Sequence, residues 1–210
     1  MADIGVNLSG VVPWSAEFSF LDRVKSATGW RPRDFNFDYV TTPLSLDEQG
    51  YPTQVPDGIM MVENYVAMDP PGLATTDNYV VTWDGTGTLN FIGATVISSE
   101  PGRIVVHFTG LSGDDTWDQM GIDLMSTDPA NPLHNLHVVR EDQVDLFNSG
   151  EIFNPAFLQH VSQMDDLRFM DWGLTNSSTV ASWSDRAQVG DMSWGLGNDG
   201  KRVPIEIMVQ

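Results

Sequence analysis

The fold class is decided by residues 79–91, which read YVVTWDGTGTLNF. Apolar and polar residues alternate on both sides of Asp84 and Gly85, the pattern of two half-buried strands flanking a turn. The turn residues predict a tight β-hairpin, which demands a positive φ at Gly85 or Gly87. The segment has no lysine and no following helix, so it is not a phosphate-binding loop.

Similar strand-like runs continue outward from this segment and are separated by turn residues. They cover residues 59–66, 94–98, 103–108, 119–125 and 136–139. Several short strands at this spacing are typical of an antiparallel β-sandwich or barrel. We therefore predict a compact antiparallel β-sandwich over residues 38–139, called the β-module below, without a helix longer than three turns.

The flanking regions, residues 1–37 and 140–210, combine short apolar runs with helical patterns. Ile4–Leu8, Leu167–Met170 and Ile205–Val209 are predicted as short buried strands, the first two as parallel neighbours. Helices are predicted after Ser15, as N-cap, and after Asn154, which is followed by proline.

These flanks read as one incomplete parallel β/α unit into which the β-module is inserted. The predicted class is thus mixed and β-dominated. A three-stranded parallel piece covered on one side would be poorly stable. We therefore expect the chain to be the front of a longer protein, or to be covered by a partner.

Charge excludes several kinds of partner. Ten Lys and Arg stand against 29 Asp and Glu, a formal charge of −19 over 210 residues. Such a field repels phosphate backbones and anionic membrane surfaces, so nucleic-acid binding is not expected. Two interpretations of the acidic composition remain open: it keeps the protein soluble, or clustered carboxylates bind a cation. Asp114–Asp115 and 123–128 lack the spacing of a calcium loop and favour a solvated face.

Cysteine is absent, which excludes disulfides, thiolate catalysis and Cys-ligated zinc. No cofactor is expected, and the metal question stays open. Residues 1–10 contain no secretory signal, and no apolar run is long enough to span a membrane. We expect a virion protein, or one that is extracellular after lysis, rather than a cytoplasmic one.

Several segments resemble a poorly characterised family of bacterial and bacteriophage proteins, often labelled cellulose-binding or glycoside-hydrolase-like. The matching runs are 5–10 (GVNLSG), 79–89, 138–142 (VVRED), 150–155 (GEIFNP), 167–172 (LRFMDW) and 175–178 (TNSS). The resemblance implies a (β/α)-barrel whose early part carries a jelly-roll-like module. In that family the chain continues into further barrel strands, which would supply a glycosidase's acid and nucleophile. Because this sequence stops before them, catalysis by this chain is not expected.

Candidate ligand-binding residues follow from the loops. Asp171 comes directly after a predicted strand, where barrel enzymes place functional groups, although a carboxylate there can also cap a loop. Indole faces can stack on sugar rings, and each can equally plug a core. The candidate set is Asp171, Trp172, Asn176, Trp14, Trp30, Trp183 and Trp194.

Two functions remain. The first is non-catalytic recognition of a glycan or surface polysaccharide, in a homo-oligomer or larger assembly such as a bacteriophage tail fibre. The alternative is the N-terminal part of a glycoside hydrolase whose catalytic half is absent from this sequence. Hydrolysis needs two carboxylates at a defined separation, and no sequence rule pairs Asp171 with Glu206.

Overall fold

The computed structural model describes residues 4–69, 77–110, 118–198 and 200–210, and β-strands dominate it. Its strands are, in order, Gly5–Asn7 (β1), Arg31–Arg33 (β2), Met61–Asp69 (β3), Asn78–Asp84 (β4), Gly87–Ile92 (β5), Ala94–Glu100 (β6), Arg103–Phe108 (β7), Asp118–Thr127 (β8), His134–Arg140 (β9) and Asp166–Arg168 (β10). Short α-helices are Val144–Asn148 (α1), Pro155–Val161 (α2) and Ile205–Met208 (α3). Single 3-10 turns lie at Arg23–Ser26, Glu141–Gln143 and Trp183–Asp185.

Two four-stranded antiparallel sheets are built from the central region. One has the order β2-β3-β8-β5 and the other β6-β7-β4-β9. Both contribute to one apolar cluster, in which Val62 and Ile122 of the first sheet and Val81 and Val138 of the second are completely buried. The predicted β-structure of residues 38–139 is confirmed, and its described part contains no long helix.

The hairpin predicted around Gly85 is wrong, because β4 and β5 lie in different sheets. Asp84 pairs with His134, and Thr86 bridges Pro132, so the chain passes β9 as it crosses between the sheets. Gly85 has the expected positive φ, 78°, but a Cβ there would lie 2.1 Å from the Pro132 carbonyl oxygen. The glycine therefore serves a crossover rather than a hairpin.

β1 and β10 form the predicted parallel pair, with Val6 opposite Leu167. They are not the buried strands that their apolar residues predicted, since all of β10 is exposed. β10 begins at Asp166, one residue before the predicted start. Its apolar Leu167 therefore lies between two charged residues, Asp166 and Arg168. α2 precedes β10, and the Asn154 side chain caps that helix by accepting a hydrogen bond from the Ala156 amide at 2.9 Å.

Two other predicted elements are wrong. Ile205–Val209 is not a strand: α3 occupies Ile205–Met208, and Ile207 packs into a second apolar cluster while Ile205 is exposed. Pro204 precedes the helix. It lacks an amide proton, but at this position the helix needs no amide hydrogen bond.

The first region has no α-helix after Ser15. Phe18 has a φ of 45°, a left-handed conformation that does not continue a right-handed helix. Only the 3-10 turn Arg23–Ser26 forms, and its N-cap is Asp22, whose carboxylate accepts a hydrogen bond from the Val24 amide at 3.1 Å.

A second apolar cluster packs beneath the parallel pair. Its buried members are Leu8, Val11, Phe20, Phe157, Trp172, Trp194, Val203 and Ile207. All of them come from residues 1–37 and 140–210, the two flanks assigned to one unit. The division into an interrupted unit and an inserted module itself stays a prediction.

Candidate functional site

The loops that leave β1 and β10 meet at the carboxyl ends of these strands, as expected for a parallel pair. The Leu8 amide donates to the Arg168 carbonyl at 3.0 Å, which holds the two loops together at their start. Further along, the Trp172 indole N–H donates to the Ser9 carbonyl, also at 3.0 Å. Two adjoining clefts open around this junction.

The first cleft has a volume of about 530 Å³ and contains one exposed indole and one exposed carboxylate. Trp14 is 40% exposed, and Asp171 lies on the same cleft. Arg202 is the other charged side chain among the described residues that line this cleft. The arrangement combines a flat apolar face with groups that can accept and donate hydrogen bonds.

The second cleft, of about 390 Å³, is lined by Trp183 and three basic side chains. Trp183 is 67% exposed. Arg186 holds it in place: the guanidinium lies 4.2 Å from the ring centroid and donates to the Trp183 carbonyl at 3.1 Å. Arg186 also donates to Glu206 Oε1 at 2.7 Å, which lowers the pKa of the Glu206 carboxyl.

Arg202 joins the clefts, because it lines both of them. Within the described part of the chain its side chain has no hydrogen bond or ion pair. Partial burial lowers the pKa of its guanidinium. Lys201 lies beside it on the second cleft.

Trp172 belongs to the core more than to the clefts. Its side chain is 1% exposed, and its ring centroid lies 5.3 Å from that of Phe20 and 5.5 Å from that of Phe169. It is one of the residues that line the second cleft, but it contributes almost no accessible surface there. It therefore offers no open face for stacking.

The remaining candidates lie elsewhere. Trp194 is 2% exposed and meets Phe20 edge to face at 5.0 Å. Trp30 packs against the first apolar cluster, with its indole N–H pointing to Met192 Sδ at 2.9 Å. Asn176 is exposed and lines neither cleft. The structure thus brings together Asp171 with Trp14, and Trp172 with Trp183.

Sequence reasoning missed Arg202 and Lys201. A signal was present: three of the ten basic residues of a very acidic chain fall within 186–202, two of them adjacent. Only the fold shows that Arg186 lies on the same cleft as the other two.

A third and larger cleft, about 840 Å³, adjoins the first through Ser9 and Ala16. Two of its charged side chains already have partners. Arg140 pairs with Asp142 and Asp77, and Glu17 Oε1 accepts a hydrogen bond from the Ser9 amide at 2.9 Å. This third cleft extends the surface formed by the first two. Arg140 and Glu17 are less available to a ligand because they already have partners.

The described residues contain no group of three or more metal-ligating side chains. Asp114–Asp115 lie outside the described residues. Asp123 was expected on a solvated turn, but it lies within β8 and is 1% exposed. No helix among the described residues is long and apolar enough to cross a membrane.

Neither protein-family models, nor curated proteins, nor solved structures match this chain. The resemblance to cellulose-binding and glycoside-hydrolase-like proteins therefore stays a prediction.

Proposed function

We propose that this protein binds carbohydrate through the two clefts that share Arg202, and that binding is not coupled to catalysis. The observation that carries the proposal is the pair of exposed indoles, Trp14 and Trp183, one on each cleft. Exposed aromatic faces pack against the C–H groups of sugar rings. Each such contact contributes about 0.5–1.5 kcal/mol, by analogy with other aromatic pairs.

Polar groups around the indoles suit sugar hydroxyls. The Asp171 carboxylate accepts hydrogen bonds, and the Arg202 guanidinium donates them. Both are exposed or half-buried, and their side chains have no hydrogen bond or ion pair with the described residues, so they are available to a ligand.

Binding is favoured over hydrolysis because Asp171 is the single carboxylate among the described residues that line the two clefts. Glycoside hydrolysis uses a pair of carboxylates about 5–10 Å apart, one acting as an acid. The described residues of the two clefts supply one such carboxylate, that of Asp171.

The proposal extends to the architecture and its setting. We assign the two antiparallel sheets to a jelly-roll-like sandwich inserted in the start of a (β/α)-barrel, in a homo-oligomer or a virion fibre. The second candidate, the front of a glycoside hydrolase, is favoured by one observation: α2 lies in the chain between the parallel strands β1 and β10, as in a β-α-β unit. Its carboxylate pair would lie outside the two clefts.

A glycan array followed by calorimetry tests the proposal. Trp14→Ala and Trp183→Ala are each expected to weaken binding about 2- to 12-fold. Phe35→Ala is the control, because Phe35 is 70% exposed and lies on neither cleft. The proposal is wrong if the unaltered protein binds no glycan, or if both tryptophan variants bind as well as the control.

A further inference from the structure

We infer that the ligand is an acidic saccharide, whose anionic group is bound by Arg202 and Lys201 in the second cleft. The inference rests on the proposed carbohydrate function and names its substrate class. The shared chemistry is a carboxylate or sulfate group carried on a sugar ring.

The charge on the second cleft is opposite to that of the whole chain. The chain has 29 acidic residues against ten basic ones. The described residues lining this cleft nevertheless include Arg186, Lys201 and Arg202 and no Asp or Glu. A cleft with one sign of charge attracts the opposite ion, and here it does so within a repelling field.

Arg202 differs from the arginines that have structural roles. Arg33 is bound to Glu63, Arg140 to Asp142, and Arg186 to Glu206. Arg202 has no corresponding carboxylate among the described residues, although it is partly desolvated. An arginine fork matches a carboxylate or a similar oxyanion with two parallel hydrogen bonds.

Arg202 lies where its charge and a stacking indole can contact the same ligand. It lines the cleft of Trp14 and the cleft of Trp183. Arg186, already bound to Glu206 and to the Trp183 carbonyl, serves to position the indole. A sugar ring on Trp183 would therefore place its acidic substituent toward Arg202 and Lys201. Asp171 lines only the first cleft, where it meets hydroxyls rather than the anion.

The experiment compares three oligosaccharides by calorimetry at low salt: an oligogalacturonate, the same oligomer with its carboxyl groups reduced to alcohols, and a sulfated oligosaccharide. The unaltered protein is expected to bind an anionic oligomer at least about tenfold more tightly than the reduced one, as charge-assisted hydrogen bonds predict. The two anionic oligomers distinguish a carboxylate from a sulfate. The preference should shrink as salt is added.

Arg202→Gln should abolish this preference, because the affinity for the anionic oligomers should fall to that for the reduced oligomer, and Lys201→Gln should reduce it. Arg202→Lys should keep part of it, because lysine retains the charge without the fork. Arg103→Gln is the matched control, a half-buried arginine on neither cleft. Thermal melting of every variant checks folding.

The outcomes separate the two proposals. Equal binding of acidic and reduced oligomers, with binding weakened in Trp183→Ala, overturns the acidic specificity and leaves the carbohydrate function standing. A preference that survives in Arg202→Gln also overturns the inference. Binding of none of the three oligomers overturns the acidic specificity, and binding of no glycan on the array overturns both proposals.

Discussion

Glu63 and Asp123 lie directly opposite each other on the antiparallel strands β3 and β8, and both side chains are almost completely buried. Arg33 binds Glu63 through two contacts of 2.9 Å, and the Tyr39 hydroxyl donates to the same carboxylate. Asp123 has a weaker partner, the Asn90 amide, which donates to Oδ2 at 3.1 Å. Its Oδ1 is buried without a hydrogen bond from any residue that the structure describes.

Stability should depend on the protonation of Asp123. Burial, with a smaller contribution from Glu63, raises the pKa of its carboxyl above the ordinary value of 3.8. The folded state thus binds the proton more tightly than the unfolded one. The stabilisation is complete below about pH 3.8 and is lost as pH rises through the raised pKa.

Asp123→Asn removes this titration and keeps an oxygen that can accept from Asn90. We expect the variant to match the parent near pH 3.5 and to be the more stable of the two at pH 7. Urea unfolding from pH 3.5 to pH 8 measures the difference. A difference independent of pH would show that the carboxyl titrates alike in both states.

Arg33→Ala should be strongly destabilising, because it leaves the buried Glu63 carboxylate without its cation. Breaking a buried pair in this way costs about 3–5 kcal/mol of the free energy of unfolding. Arg140→Ala is the comparison, since its partner Asp142 is largely exposed and such pairs contribute about 0–1 kcal/mol. Equal losses of unfolding free energy in the two variants would contradict the role of Arg33 as the cation that the buried Glu63 requires.

Gly85→Ala should cost more stability than Gly58→Ala, although both glycines have a φ of 78°. Both substitutions place a side chain in the left-handed region, at about 1–2 kcal/mol. Only at Gly85 would the new Cβ meet the Pro132 carbonyl, whereas nothing lies within 4 Å at Gly58. The difference in unfolding midpoint between the two variants measures the cost of the close approach between Gly85 and Pro132 beside β9. Identical midpoints would argue against this close approach.

Trp172→Ala and Trp183→Ala should separate packing from recognition. Removing the buried Trp172 is expected to cost about 3–5 kcal/mol of the free energy of unfolding, through the cavity it leaves. Trp183 is exposed, so its loss should change stability by about 0.5 kcal/mol or less. A stable Trp172→Ala protein would mean that this side chain is not the centre of the second cluster.

The strands were predictable because alternation and turn chemistry act over a few residues. β7 occupies Arg103–Phe108, the range predicted as a strand-like run between turn residues, and Gly85 has the expected positive φ. Short apolar runs were less informative. Ile205–Val209 contains a helix rather than a strand, since a run of this length fits either element until packing selects the buried side.

By itself the sequence determined a β-dominated chain, the parallel pairing of β1 with β10, and tryptophans concentrated in loops. The tertiary structure alone decided that β4 and β5 part into different sheets, that Trp172 is buried while Trp183 is exposed, and that Arg202 lies between two clefts. The reason is physical. Local propensity depends on neighbours in the chain, whereas pairing, burial and the meeting of charges depend on contacts between residues far apart in sequence.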